Sequence, residues 1–135
     1  MNDDERRAIE HDCGRLINLY ANLADAGQWG GVAALYTVDG RFARPSRPGE
    51  FVTGRAAILD SFTARPARPQ RHVVANIVVN VADENHAAAF SVMLLFTGAP
   101  PADGGLPVRD GAGPLVGSYT DRLVRTADGW RFAER

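Results

Sequence analysis

Near the start of the chain, hydrophobic residues recur every three or four positions, which is the spacing of one face of an α-helix. The face consists of Ile9, Cys13, Leu16, Ile17, Tyr20, Leu23 and Ala24. Asn2 or Asp3 can cap the N-terminus, acidic residues fill the first turn, and Gly27 can end the helix. The pattern therefore predicts an amphipathic helix with a tyrosine in its apolar face and Asp25 close to its end.

Shorter periodic segments and several β segments follow this helix. Two further helices are predicted over residues 28–36 and 55–64; short strands over 40–45 and 51–54; long strands over 70–82, 86–98 and 115–126; and a last strand over 130–135. Residues 98–114 hold five glycines and four prolines, so we expect an exposed, mobile connection, either a lid or a hairpin tip. Helices followed by antiparallel strands predict a single α+β domain over residues 1–135, in which a curved sheet wraps around the helices as a cone with an open mouth.

Strict alternation divides the segment "HVVANIVVNV" into two faces. One face would be apolar and consist of Val73, Ala75, Ile77, Val79 and Val81; the other would be mixed and consist of His72, Val74, Asn76, Val78 and Asn80. The apolar face suits either tight packing or a subunit interface, and because so large an apolar patch is rarely left in water, we expect a homo-oligomer, a dimer or a trimer. The mixed face suits the lining of a cavity. Tyr119 and Asp121 share one side of a later strand and are candidate substrate-binding residues, as is Asn76.

Composition narrows the range of functions. The chain has 135 residues, a net charge of −1 and 45% hydrophobic residues, so neither nucleic acid nor an anionic membrane is an expected partner. All basic residues are arginine, which excludes Schiff-base lysine chemistry and a P-loop lysine. The charged N-terminus and the lack of a long apolar run predict a cytoplasmic protein, and Cys13 is expected to be a small buried residue. No spacing of metal ligands is present, so no metal and no cofactor are expected.

Four segments, taken in order, resemble a known family. They are "LINLYANLADAGQWGGVAALYTVDGRF", "GRAAILDSF", "RHVVANIVVNV" and "VGSYTDRLVRTADGWRFAER". Together they resemble the SnoaL-like group of the nuclear transport factor 2-like, or cystatin-like α+β, superfamily. The resemblance implies a cone-shaped barrel that encloses an apolar pocket. Dehydratases, a ketosteroid isomerase and polyketide cyclases share this fold, as does the non-catalytic small subunit of ring-hydroxylating dioxygenases, so the fold alone does not decide the function.

The dehydratases of this superfamily resemble the chain at three positions. Their helix carries a tyrosine with an aspartate five residues later, and a strand carries a histidine, which correspond here to Tyr20, Asp25 and His72. Five residues of ideal helix correspond to a rotation of about 140°, so Asp25 must use the last turn to point inward. Each residue also has a plain structural interpretation: a packed core tyrosine, a solvated helix-end aspartate and a structural histidine. Asp121 could likewise pair with a nearby arginine.

The resemblance implies a cofactor-independent lyase of the dehydratase type, or a related isomerase or cyclase, that acts on a small hydrophobic alcohol or ketone. His72 would remove a proton from carbon, Asp25 would orient the imidazole, and Tyr20 would hydrogen-bond a substrate oxygen. The alternative hypothesis is a non-catalytic module, either a carrier of an apolar ligand or a small subunit that partners a dioxygenase. Convergence of Tyr20, Asp25 and His72 on one enclosed pocket would distinguish the two.

Overall fold

The computed structural model describes residues 1–100, 103, 108–109 and 113–135. Its helices are α1 (Asp3–Asp25), α2 (Trp29–Ala34) and α3 (Arg55–Thr63). Its strands are β1 (Tyr36–Phe42), β2 (Val52–Thr53), β3 (Gln70–Asp83), β4 (His86–Ala99), β5 (Val108–Arg109), β6 (Leu115–Thr126) and β7 (Gly129–Glu134). Much of the predicted connection over 98–114 lies outside the described residues.

Helix α1 begins and ends as its sequence predicts. The Asn2 side chain accepts a hydrogen bond from the Glu5 N–H, and the Glu5 carboxylate accepts one from the Asn2 N–H, which together form a capping box. At the other end Gly27 adopts a φ of 69°, and the N–H of Gln28 donates to the carbonyl of Leu23. A left-handed glycine of this kind commonly stops a helix. The predicted apolar stripe, including Tyr20, is buried.

The sheet is open and mostly antiparallel. Its strand order is β2-β1-β7-β6-β4-β3, and β5 pairs with β4 outside this path. Only the β1–β7 pair is parallel among the pairings of the described strands. The helices cover one face of the curved sheet, with α1 packed across β3 and buried in a common core with β6 and β7. The predicted α+β class and the cone-like curvature are confirmed.

The region around Tyr36 differs from the prediction. Helix α2 ends at Ala34, whereas a helix was predicted to residue 36, and β1 starts at Tyr36 rather than at residue 40. Tyr36 is drawn into the sheet because it pairs with Phe132 of β7, whose N–H donates to the carbonyl of Leu35. This partner lies about a hundred residues away, so local periodicity could not reveal it.

A β-bulge in β3 overturns the predicted division of that strand into faces. The register with β4 shifts between Ala75 and Val78, and Asn76 has a φ of 54°. One extra residue reverses the alternation beyond it. His72 and Val74 therefore share the inner face with Ile77, Val79 and Val81, whereas Val73 and Val78 are exposed. The continuous apolar face predicted from Val73 to Val81 does not exist.

The outer face of the sheet is nevertheless apolar. Val73, Leu94 and Val116 lie side by side on β3, β4 and β6, and Val78 lies beside Phe90. All of these except the half-buried Leu94 are exposed.

Among the described residues, no helix combines the length and the apolar character that a membrane span requires.

Candidate active site

Asp25 and His72 meet where the end of α1 reaches the start of β3. The Nδ1 atom of His72 lies 2.7 Å from Oδ1 of Asp25, and the His72 backbone N–H donates to Oδ2 at 2.8 Å. The side chains of His72 and Asp25 are 10% and 3% exposed. Because a carboxylate only accepts hydrogen bonds, the imidazole carries its proton on Nδ1 and leaves the lone pair of Nε2 free.

Two elements of the fold hold this pair. Asp25 is the last residue of α1, where the helix no longer restricts its side chain to the outer surface. Just before His72, the side-chain amide of Gln70 donates to the carbonyl of Ala24 at 3.2 Å, which joins the same helix end to the same strand. The sequence predicted contact between Asp25 and His72, and the contact is present, but their catalytic roles stay predictions.

Tyr20 belongs to a pair of buried tyrosines. Its hydroxyl lies 2.8 Å from the hydroxyl of Tyr36, and the two rings meet edge to face. Arg55 donates from Nε to the backbone carbonyl of Tyr36 at 3.0 Å, which holds that residue in place. Burial raises the pKa of both tyrosines well above the ordinary value. Both hydroxyls therefore stay protonated, and since one proton lies between the two oxygens, the pair retains one O–H for another acceptor.

A buried arginine packs against the rings of two tyrosines. Nε and Nη2 of Arg135 donate to the two carboxylate oxygens of Asp121 at 3.0 and 3.3 Å, and both side chains are almost completely buried. The guanidinium lies over the rings of Tyr20 and Tyr119, at 4.3 and 3.7 Å from their centroids. Burial raises the pKa of Asp121, and Arg135 opposes part of that rise. Asp121 thus holds an arginine whose planar group orders two aromatic rings.

Tyr119 connects the two groups of residues. Its ring contacts that of Tyr20, with centroids 6.4 Å apart. Burial raises the pKa of Tyr119, and the negative charges of Asp121 and, to a smaller extent, Asp25 add to that rise. The structure therefore brings Tyr20, Asp25, His72, Tyr119 and Asp121 to one side of the sheet.

Asn76 is not part of this group. It sits exposed at the bulge of β3, and the structure gives it no contact with Tyr119 or Asp25. The expectation that it shares the face of His72 was wrong because the bulge changes the phase of the strand at this residue. Asn76 instead supplies the left-handed backbone conformation, which asparagine adopts more readily than most residues.

The three histidines differ in their surroundings. His86 lies 2.9 Å from a carboxylate oxygen of Asp83, a spacing close to that of the His72–Asp25 pair, but these two side chains are 62% and 54% exposed. His11 is exposed on α1.

Within the described residues, no group of three or more histidine, cysteine, aspartate or glutamate side chains is arranged to hold a metal ion. Cys13 is buried as predicted, and burial raises the pKa of its thiol to about 12.

A surface groove lies elsewhere on the molecule. It has a volume of about 780 Å³, runs along α1 and the middle of β3, and is lined by residues such as His11, Asn18 and Val78. Tyr20, Asp25 and His72 do not line it. The predicted cavity around those three residues stays a prediction.

Comparison with known proteins places this arrangement in a family. The model of the SnoaL-like domain matches residues 5–135, almost the whole chain. The chain belongs to the SnoaL-like family. A search of curated proteins finds no match.

Solved structures share the SnoaL-like fold over nearly the full length. A candidate scytalone dehydratase from Novosphingobium aromaticivorans has a TM-score of 0.81 at 22% identity, with 99% of this chain and 85% of that chain covered. ActVI-ORFA from Streptomyces coelicolor has a TM-score of 0.71 at 25% identity, with 95% and 94% covered. A candidate aromatic ring hydroxylase from N. aromaticivorans has a TM-score of 0.74 at 19% identity, with 93% and 84% covered. The likenesses below 25% identity show the fold alone.

Sequence reasoning missed two residues of this SnoaL-like site, Tyr36 and Arg135. Tyr36 was assigned to a helix, and alternation from Trp130 and Phe132 places Arg135 on the opposite side of its strand. The one available signal was Asp121, a carboxylate between the inward-facing Tyr119 and Leu123. A buried carboxylate needs a cationic or hydrogen-bonding partner, although the sequence does not say which of the fifteen arginines supplies it.

Proposed function

We propose that this SnoaL-like protein is a cofactor-independent lyase of the dehydratase type that acts on a small, largely apolar alcohol or ketone. The observation that carries the proposal is the buried hydrogen bond of 2.7 Å between His72 Nδ1 and Asp25 Oδ1. A histidine held by a carboxylate in this way is a general base whose free Nε2 can accept a proton. The family membership supports the proposal, since dehydratase-like structures share the fold.

His72 begins the reaction in this proposal. Its Nε2 removes a proton from the carbon next to a substrate carbonyl, and the electron pair of that C–H bond moves towards the carbonyl oxygen to give an enolate. The electrons then return to form a carbon–carbon double bond, and the C–O bond of the neighbouring hydroxyl group breaks. The imidazolium then donates the proton from Nε2 to the departing hydroxide, which leaves as water. Asp25 stabilises the imidazolium between these two steps because its carboxylate remains on Nδ1.

The tyrosine pair would stabilise the negative charge that develops on the substrate oxygen. Removal of the carbon proton moves negative charge to the carbonyl oxygen, and the remaining O–H of the Tyr20–Tyr36 pair can donate to that oxygen. The hydrogen bond within the pair polarises the donating hydroxyl and strengthens it. The aromatic surroundings, which include Tyr119 and Phe132, suit a planar, hydrophobic substrate.

The same groups also suit two neighbouring reactions. If the proton on His72 returns to a different carbon, the result is a double-bond shift, and if the carbanion attacks a second carbonyl, the result is a cyclisation. Dehydration is our first choice because the solved structures that share the fold include a candidate scytalone dehydratase.

A direct test uses an aryl β-hydroxy ketone, whose dehydration gives a conjugated enone that absorbs in the near ultraviolet. The wild type should form the enone, and His72→Ala should slow its formation about 10²–10⁴-fold. His86→Ala is the matched control, because it removes a histidine that pairs with a carboxylate at the surface. Equal loss in both variants, or no loss in His72→Ala, would contradict the proposal.

The alternative is a non-catalytic binding module, such as a ligand carrier or a small subunit of a dioxygenase. The hydrogen bond between Tyr20 and Tyr36 favours it, since buried hydroxyls of a structural core are also hydrogen-bonded to one another. Ligand binding by the wild type without conversion of any hydroxy ketone would move this function to first place.

A further inference from the structure

Arg65 carries two buried nitrogen atoms for which the structure shows no hydrogen-bond partner. They are Nε and Nη2, and each is inaccessible to solvent. Arg65 follows α3, and its guanidinium lies over the ring of Phe62, 4.7 Å from the centroid. A buried donor without an acceptor is costly, and a charged one is more so. Such a group calls for an acceptor that the protein itself does not provide.

The other buried arginine, Arg135, indicates which chemical group such an acceptor would be. In Arg135 the same two atoms, Nε and Nη2, form a fork that binds both oxygens of the Asp121 carboxylate. A carboxylate fits this edge of a guanidinium because its two oxygens lie in one plane at the spacing of the two N–H groups. Arg65 has the same edge without an acceptor among the described residues, and because both nitrogens are covered, a ligand reaches them only when the residues around them move aside.

The surroundings of Arg65 place this edge beside the proposed site and leave it short of negative charge. Its charge acts on the hydroxyls of Tyr20, Tyr36 and Tyr119, the tyrosines of the proposed site. Burial lowers the pKa of Arg65, and the positive charge of the exposed Arg44 lowers it further. An arginine nevertheless keeps its proton. A bound anion would relieve both the desolvation and the repulsion between the two arginines.

We propose that the Nε–Nη2 edge of Arg65 binds a carboxylate group of the ligand, so that the molecule taken up by this protein is an aromatic or similarly hydrophobic acid. The carboxylate would meet the guanidinium, while the hydrophobic part would lie among the aromatic rings near Tyr20 and Phe62. This inference rests on the proposed function only for what happens to the ligand afterwards. Arg65 is a specificity residue in this proposal and takes no part in proton transfer.

The test is a comparison of two probes that differ only in charge, naphthoate and naphthamide, by isothermal titration calorimetry. The wild type should bind naphthoate roughly 10- to 100-fold more tightly than naphthamide, which corresponds to a bidentate charged hydrogen bond. Arg65→Met should abolish this preference. The matched control is Arg68→Met, which removes an equal charge from an exposed arginine three residues away and should retain the preference.

Two further measurements test whether a change in the fold, and not the loss of the Arg65 edge, removes the preference for naphthoate. Arg65→Met should melt at the same temperature as the wild type or higher, because it removes an unpaired buried cation. Arg65→Lys keeps the charge but cannot form two parallel bonds, so it should lose most of the preference with an unchanged circular dichroism spectrum. Equal binding of the two probes by the wild type, no detectable binding of naphthoate, or a full preference in Arg65→Met or Arg65→Lys would each overturn the inference.

The outcome is separable from that of the proposed function, because the probes are not converted. His72→Ala should retain the preference for naphthoate while it loses turnover of the hydroxy ketone. A wild type that prefers naphthoate but converts no substrate would support the Arg65 inference and contradict the proposed lyase.

Discussion

Asp25 accepts hydrogen bonds from two nitrogen atoms of a single residue, His72. One carboxylate oxygen accepts from the backbone N–H at 2.8 Å and the other from the imidazole Nδ1 at 2.7 Å. The backbone bond fixes the carboxylate to the strand whether or not the imidazole is charged. Asp25 therefore has a structural task, to join α1 to β3, and an orienting task, to hold the ring, and substitutions can separate the two.

The first prediction concerns Asp25→Asn. Its amide oxygen can still accept from the His72 backbone, but its NH2 group then faces Nδ1 and favours the tautomer with the proton on Nε2, which cannot act as a base. We expect the turnover number to fall about 10²–10⁴-fold with the fold retained, as measured by steady-state kinetics and circular dichroism. In a double-mutant cycle with His72→Ala, the two losses should be strongly non-additive.

Asp83→Asn is the control for that cycle, since it alters the exposed pair with His86 and should leave turnover unchanged. Additive losses at Asp25 and His72 would show that the two residues do not act as a unit.

The second prediction concerns pH. The tyrosine pair must be protonated to donate to a substrate oxygen, and burial raises the pKa of Tyr20 and Tyr36 above the ordinary value of about 10. Because the raised pKa keeps the protonated form to higher pH, kcat should show no tyrosine-dependent decline up to about pH 10. A decline of kcat below that pH that disappears in Tyr20→Phe would contradict this prediction.

The third prediction concerns the buried Arg135–Asp121 pair. Asp121→Asn would leave Arg135 as an uncompensated buried charge, so the free energy of unfolding should fall by about 3–5 kcal/mol. Chemical denaturation measures this directly. Glu134→Gln is the control: it removes the charge that pairs with Arg122 and Arg41, whose side chains are exposed, and should cost about 1 kcal/mol or less. Similar losses in the two variants would mean that burial does not distinguish the pairs.

The fourth prediction concerns the bulge. Asn76 has a φ of 54°, so Asn76→Val should destabilise the protein by about 1–2 kcal/mol, whereas Asn76→Gly should be nearly neutral. Asn80→Val, an exposed position further along the same strand, should have little effect or stabilise slightly because valine favours strands. Equal stability of Asn76→Val and Asn80→Val in thermal denaturation would argue against a strained backbone at Asn76.

The fifth prediction concerns assembly. We propose that the protein forms a homo-oligomer through the outer face of β3, β4 and β6, where Val73, Val78, Phe90 and Val116 are exposed. Sedimentation velocity should show a dimer or trimer at micromolar concentration, and Phe90→Glu should yield monomers. Val38→Glu, at an exposed valine of β1, should leave the oligomer intact. A monomeric wild type would exclude this assembly.

Local signals were sufficient for the parts of the fold that depend on neighbouring residues. The capping box at Asn2 and the glycine after α1 appear directly in the sequence, and α1 begins and ends accordingly. The long strands follow from their β-branched and aromatic residues. The pair of Asp25 and His72, by contrast, was suggested by the resemblance to dehydratases, since its members lie 47 residues apart in the chain.

The parts that could not be predicted depend on distant partners. Tyr36 joins a strand only because β7 pairs beside it, and Arg135 faces inward only because it binds Asp121. The bulge at Asn76 leaves no mark in a hydrophobic pattern, because valines and isoleucine occur on both sides of it. Strict alternation consequently assigned the second half of β3 to the wrong face.

The same bulge has a consequence for how this strand tolerates insertion and deletion. It divides β3 into two segments whose side-chain alternation differs by one residue. The first segment directs His72 towards Asp25, and the second directs Ile77 and Val79 into the core. Deletion of Asn76 would remove the extra residue and leave a regular strand, in which His72 and Ile77 would still both face inward. Regular pairing of the full-length strand, by contrast, would turn either His72 or Ile77 outward, so it is the bulge that keeps both residues on the inner face.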